Sequence, residues 1–306
     1  MKTDELVKNL PAQAKALWAK TPNKWGFGRS ADTDDADLWL PLYMHMADCA
    51  EVAKRLWETW IPDGVKESIH GDEGFARRLF VFLAAAHDLG KATPEFQWKS
   101  KSLAACGRLF IPHMSNPNKI RHGLAGHRIL TRHAFDESVA VVLGGHHGKP
   151  PSCRDLLEID SYAANTGFES TEWLDAQDAL FEYVCALSGA SAEELRQTVL
   201  APHAQALLTG LVIMTDWIAS DESRFAYIPL LQFRPQASVQ RAASAWDDLR
   251  LSARRETRMP LRDADAYFRA RFGVESPRPI QTAVFRALSE AKNPGIVVIE
   301  APMGEG

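Results

Sequence analysis

Five histidines and two aspartates fall in an order that could assemble a metal centre: His45, His87-Asp88, His122, His146-His147 and Asp216. Neutral imidazole and carboxylate both ligate divalent ions well. His87 and Asp88 close an apolar run, Leu79 to Ala86, where both would be costly to desolvate without a partner. Metal coordination would supply that partner; a hydrogen-bonded His–Asp pair at a helix end is the alternative. Asp216 lies among Leu, Val, Ile and Met and also needs one. His146-His147 sits between Gly144-Gly145 and Gly148, and reads either as ligands or as the positive end of a helix. His45, with Asp48 close behind, reads alone as a surface or satisfied core histidine. Lys91 could meet an anion at the site or compensate a helix C-terminus. His70, His113, His127, His133 and His203 lack comparable context and are assigned to structure.

The elements that must position these residues are almost all helical. A short amphipathic helix is expected over Ala12–Ala19, followed by a Gly/Asp-rich loop from Pro22 to Asp37. Apolar residues at helical spacing predict a helix over Leu42–Trp60, stopped by Pro62-Asp63-Gly64. The next runs from Phe75 to about Asp88, and Pro94 opens a short one through Ser100. Residues 106–121 read as an irregular loop. Helices follow at His122–His133, Glu137–Gly144, Thr171–Leu187, Ala192–Leu200 and Pro202–Ser220, with a turn at Pro150-Pro151.

Composition is that of a soluble globular chain: 306 residues, 46% hydrophobic and 24% charged. There is no membrane-length apolar run and no signal-peptide pattern at the start, so a cytoplasmic protein without a membrane partner is expected. Cys49, Cys106, Cys153 and Cys185 are widely spaced and read as reduced thiols. The net charge of −4 excludes a generally basic nucleic-acid binder, though metal and local basic patches could attract a phosphate backbone.

Three domains are expected: a helical domain over 1–228, a helical linker over 229–262 and the incomplete start of an α/β domain over 263–306. Val239–Glu256 reads as a solvated helix. Arg254, Arg255, Arg258 and Arg262 form a basic cluster, either a charged face or a phosphate contact. A helix opens at Pro277–Gln281. Ile296–Glu300 reads as a buried parallel strand, and Ala301–Gly306 as the start of a phosphate loop without its lysine and hydroxyl residue.

The order of histidines and aspartates is that of HD-superfamily metallophosphohydrolases. Several strings, including His45-Met46-Ala47-Asp48, His87-Asp88-Leu89-Gly90-Lys91, His122-Gly123-Leu124-Ala125-Gly126, Gly145-His146-His147-Gly148 and Asp216-Trp217-Ile218-Ala219-Ser220, resemble the HD nuclease domain of the CRISPR-associated nuclease-helicases of type I systems. Leu17–Lys20 and Phe96–Lys99 belong to the same resemblance. Arg278-Pro279-Ile280-Gln281 and Glu300–Gly306 resemble the adenine-recognition and Walker A motifs of a superfamily 2 helicase.

The resemblance implies an all-α HD-domain helical bundle, then a linker and the truncated start of a RecA-like helicase domain. It implies a two-metal nuclease acting on single-stranded DNA in an R-loop made by an RNA-guided type I surveillance complex, with an inhibitor protein as a further partner. One metal would take His45, His87, Asp88 and Asp216; the other would take Asp88, His122, His146 and His147. Asp88 would bridge, and Lys91 would meet the phosphate. Such a set suits Fe, Co, Ni or Mn better than Mg. Gln281, Gly304 and Gly306 would contact nucleotide, with ATP and Mg used only by the full-length family member. An HD-type nucleotide or cyclic-dinucleotide phosphohydrolase and an inactive docking module are the rival readings.

Overall fold

The computed structural model describes residues 3–20, 39–100, 109–227, 235–251, 263–290 and 298–302. Residues 1–253 and 254–306 form two compact units. The first begins with α1 (Thr3–Asn9), α2 (Ala12–Lys15), β1 (Trp18–Lys20), β2 (Leu40–Pro41), α3 (Leu42–Thr59), α4 (Asp63–Ile69), α5 (Glu73–Ala86) and α6 (Pro94–Trp98). It continues through α7 (His122–Arg132), α8 (Glu137–Gly145), α9 (Cys153–Glu158), α10 (Ala163–Thr166), α11 (Thr171–Ser188), α12 (Ala192–Arg196), α13 (Pro202–Ala219) and α14 (Pro235–Leu249). No helix among the described residues is long and apolar enough to cross a membrane.

At the centre α3 packs on α5, and α13, α11 and α14 pack around them. The apolar run predicted to be core is core: every residue from Leu79 to Ala86 is buried. Asp72 starts α5 by accepting a hydrogen bond from Phe75 N at 3.0 Å, satisfying an otherwise orphaned helix-end donor. The helix ends at Ala86, and a 3₁₀ turn over Leu89–Lys91 follows His87 and Asp88. That turn lies directly on α7: a Cβ on Gly90 would overlap the His122 carbonyl and the Gly126 amide. Only glycine lets the two backbones approach so closely.

Several expectations are corrected. The first helix ends at Lys15, not Ala19, because Trp18–Lys20 pairs antiparallel with β2, with Trp18 opposite Pro41 and Lys20 opposite Leu40. Pro62-Asp63-Gly64 does stop α3, but Pro62 also leads into α4. Residues after Pro151 form α9, α10 and an intervening 3₁₀ turn, with Ser152 and Asp155 making a capping box. The expected solvated linker helix is α14, and it belongs to the first unit: Ala242, Ala245 and Trp246 are buried, and the helix packs on α3.

The second unit contains α15 (Ala264–Phe272) and α16 (Pro279–Glu290), packed through Tyr267 and Phe285 with ring centroids 5.3 Å apart. Asp263 caps α15 by accepting from Ala266 N. Val298–Pro302 carries no strand. Ile296, Val297, Gly304, Gly306, the loop from Pro22 to Asp37 and the cluster Arg254, Arg255, Arg258 and Arg262 lie outside the described residues.

Candidate metal centre

The four predicted ligands of the first group come from three parts of the helical core. His45 is on the first turn of α3, His87 and Asp88 follow α5, and Asp216 lies near the end of α13. His45 Nε2 is 3.3 Å from Asp88 Oδ2 and 3.4 Å from Asp216 Oδ1. His87 Nε2 is 3.4 Å from each of the same two oxygens. Two nitrogen or oxygen donors about 2.05 Å from a shared tetrahedral ion would stand about 3.4 Å apart. The four donors therefore have the spacing that one ion requires.

The second group is His122 at the head of α7 with His146 and His147 after α8. His122 Nε2 is 3.2 Å from His146 Nε2 and 2.8 Å from His147 Nε2. The other Asp88 oxygen faces them, with Oδ1 3.3 Å from His122 Nε2 and 3.9 Å from His146 Nε2. Asp88 thus presents one oxygen to each group. Gly148, at φ +85°, turns the chain away after His147 and donates to the Gly145 carbonyl at 2.7 Å.

The orientation of the imidazoles is fixed from behind. His87 Nδ1 donates to the Ala84 carbonyl at 2.8 Å, and His146 Nδ1 to the Leu143 carbonyl at 2.6 Å. With Nδ1 donating to the backbone, Nε2 is in each case the atom directed into the cluster. Among the described residues His87 Nε2 is fully buried and has no hydrogen-bond partner, an arrangement a protein interior rarely tolerates. That orphaned nitrogen, together with the donor spacing, fits a divalent ion.

Burial works against a proton on His45 and His87. At His45 it is outweighed by Cys49 and by Asp216 and Asp88, which lift the imidazole to about 9. Asp88, Asp216 and Cys49 raise His87 well above the usual histidine range. Burial would also raise Asp88 and Asp216, but Lys91 and His87 hold Asp88 well below the carboxylate range, and His87 and His45 hold Asp216 below it. The second group behaves oppositely: burial pushes His122 down to about 2 and His146 to about 4, and lowers His147. The first group attracts positive charge, and the second offers neutral imidazoles.

Around these side chains lie Lys91, which the sequence singled out, and others whose role it did not reveal. Lys91 is buried, with Nζ 2.6 Å from Asp88 Oδ2 without hydrogen-bond alignment, and it donates to the Ala19 carbonyl at 3.2 Å. Its charge is directed at the Asp88 carboxylate. Lys20 on β1 stands 3.6 Å from Asp216 Oδ1 and contacts Ser220 Oγ, which donates to the same oxygen at 2.6 Å. Gln97 stitches β1 to the site, accepting from Trp18 N and donating to the carbonyls of Trp18 and Lys91. Glu95 is buried and accepts from Ile120 N at 2.9 Å and Asn165 Nδ2 at 2.6 Å, fixing the chain just before His122. Cys49, one turn beyond His45, stands 3.7 Å from His45 Nε2. Helical spacing placed it on that face; Lys20 and Glu95 carried no such signal.

The remaining histidines are not gathered here. His127 Nε2 pairs with Glu137 at 2.6 Å, joining α7 to α8, and His133 stacks on Phe181. In the second unit Gln281 accepts a hydrogen bond from Arg278 N at 2.9 Å, capping its own helix.

Residues 18–225 match the family model described as Cas3, HD domain. The chain belongs to the Cas3 HD domain family. The CRISPR-associated nuclease/helicase Cas3 of Streptococcus thermophilus is 31% identical, over 93% of this chain and 34% of its own length. A crystal structure of a CRISPR-associated protein superposes with a TM-score of 0.64 at 27% identity, covering 96% of this chain and 33% of that one. The Thermus thermophilus Cas3 HD domain, solved in the presence of Ni²⁺, gives 0.53 at 25% identity over 78% of this chain and 90% of its own. The chain spans about a third of the length of the curated relatives it matches.

Proposed function

We propose that this HD domain is a metal-dependent nuclease that hydrolyses phosphodiester bonds in single-stranded DNA with two divalent ions. The observation that carries the reading is the division of Asp88, one oxygen toward His45, His87 and Asp216 and the other toward His122, His146 and His147. When bound, a pair of divalent ions supplies positive charge for a phosphate and makes water a better nucleophile at neutral pH. The chain's own residues orient and isolate that chemistry. Backbone carbonyls fix His87 and His146, Lys91 holds Asp88, and Ser220 with Lys20 holds Asp216. The imidazole-rich donor set favours Fe, Co, Ni or Mn over Mg, which prefers oxygen.

The DNA would be the strand exposed in an R-loop by an RNA-guided surveillance complex, a reading supported by the CRISPR-associated relatives. An inhibitor protein is a further proposed partner, and ATP with Mg is proposed for the full-length family member alone. Gln281, Gly304 and Gly306 keep their proposed nucleotide role only there.

The test is Asp88→Ala in the whole chain, assayed for fragment release from circular single-stranded DNA with Co²⁺ or Mn²⁺ supplied. Cutting and both equivalents of bound metal should be lost, and each single histidine variant should keep more of both. Cutting that survives in Asp88→Ala refutes the two-ion mechanism.

A further inference from the structure

Cys49 is a fully buried thiol in the wall of the first metal group. It follows His45 by four residues on α3, so both side chains project from one face of the helix. Its Sγ is 3.7 Å from His45 Nε2. For an ion about 2.05 Å from nitrogen and about 2.3 Å from sulfur, a donor angle of about 110–120°, found in four- and five-coordinate sites, puts the two donors about 3.6–3.8 Å apart. Donor atoms of His45, Cys49 and His87 all lie within 4.8 Å of one another, a second donor set that shares both histidines with the carboxylate set. Independently of the thiol, His87 Nε2 is buried, without a hydrogen-bond partner and directed into the same space.

We infer that Cys49 is a sulfur donor to the ion of the first group, alongside His45 and His87. The ligand class is a divalent transition ion that accepts thiolate, namely iron, cobalt or zinc, in preference to manganese or magnesium. Binding replaces the thiol proton by the metal, and that proton leaves to solvent; no oxidant or reductant takes part. The inference rests on the proposal that the first group holds an ion, and the experiment separates the two.

The whole chain is loaded with Co²⁺, its metal content is measured, and its absorption spectrum is compared with that of Cys49→Ala and of a Cys106→Ser/Cys153→Ser/Cys185→Ser triple variant. A Co–thiolate bond gives an intense near-ultraviolet charge-transfer band. The band should be present in the native chain, retained in the triple variant and lost in Cys49→Ala. Competition titration should show the Co²⁺-over-Mn²⁺ preference falling at least about tenfold in Cys49→Ala. Bound cobalt without the band in the native chain overturns the thiol ligand and leaves the metal site standing. A band that persists in Cys49→Ala also overturns it. Failure of the native chain to retain cobalt overturns both readings.

Discussion

Replacing Arg241 by methionine should destabilise the first unit in a pH-dependent way. Asp48 is fully buried on α3, one turn from His45, and Arg241 Nη2 on α14 is 3.2 Å from its Oδ2. Among the described residues neither carboxylate oxygen makes a well-aligned hydrogen bond; Arg241 and, less strongly, Ser238 favour its charged form, so the guanidinium is the principal compensation. Burial already raises the Asp48 carboxyl, and Arg241 restrains it. Removing one partner of a buried pair costs about 3–5 kcal/mol. Protonation caps that loss. Taking a carboxyl with an ordinary value near 3.9 to its neutral form costs about 4 kcal/mol at pH 7 and about 1.5 kcal/mol at pH 5. The sign follows: a carboxyl whose folded value is raised loses stability as pH climbs above its unfolded value, and the loss is absent below it. Urea unfolding of Arg241→Met should therefore show a deficit of up to about 4 kcal/mol at pH 7, shrinking toward about 1.5 kcal/mol at pH 5. Asp48→Leu/Arg241→Met, which removes both charges, should recover more than half of it. A deficit below about 1 kcal/mol at pH 7, or one unchanged at pH 5, refutes the argument.

Loading the first metal group near pH 7.5 should release roughly two protons from His45 and His87, beyond any from the Cys49 thiol, whereas the second group should release almost none. Calorimetry in buffers of different ionisation enthalpy measures this, and affinity at the first group should climb with pH until about 9. No proton release would contradict the assigned charges. Glu95→Ala would strand the Ile120 amide and Asn165, costing about 2–4 kcal/mol and loosening the second group before the first. Unchanged unfolding midpoints and metal stoichiometry would refute it. Gly90→Ala would force a methyl group into the backbone of α7, so a loss of about 3 kcal/mol or more is expected. A soluble variant with native thermal stability would show that the 3₁₀ turn can move.

Several candidate ligands were legible because they departed from their surroundings, while His45 stood out only in the order of the whole set. His87-Asp88 ended an apolar run and Asp216 interrupted one, so polar side chains in buried positions demanded partners. What periodicity could not supply was contact between distant segments. Lys20 reaches Asp216 from a strand whose first two residues, Trp18 and Ala19, had been expected in the first helix. Glu95 resembled an ordinary acidic residue at a helix start, yet its carboxylate anchors residue 120 and Asn165. The polar face of α14 suggested solvation, and the buried partner of Arg241 lay on α3, far back in the chain. Cys49 was within reach of helical spacing, but counting cysteines only as pairs concealed its relation to His45.

These contacts also explain why so small a β element persists. A strand pair as short as β1 and β2 has little stability of its own. Here β1 is held by the Gln97 side chain, by Trp18 Nε1 donating to the Gln97 carbonyl at 3.2 Å, and by Lys91 donating to Ala19. In return it delivers Lys20 to Asp216 and completes the wall beside Lys91. Each carboxylate of the first group therefore has its own lysine, Lys91 for Asp88 and Lys20 for Asp216. Together with the raised imidazoles of His45 and His87, these cations offset the charge of buried Asp88 and half-buried Asp216, which favours keeping the donors at their spacing. An ion bound there would meet donors already gathered from three segments of chain.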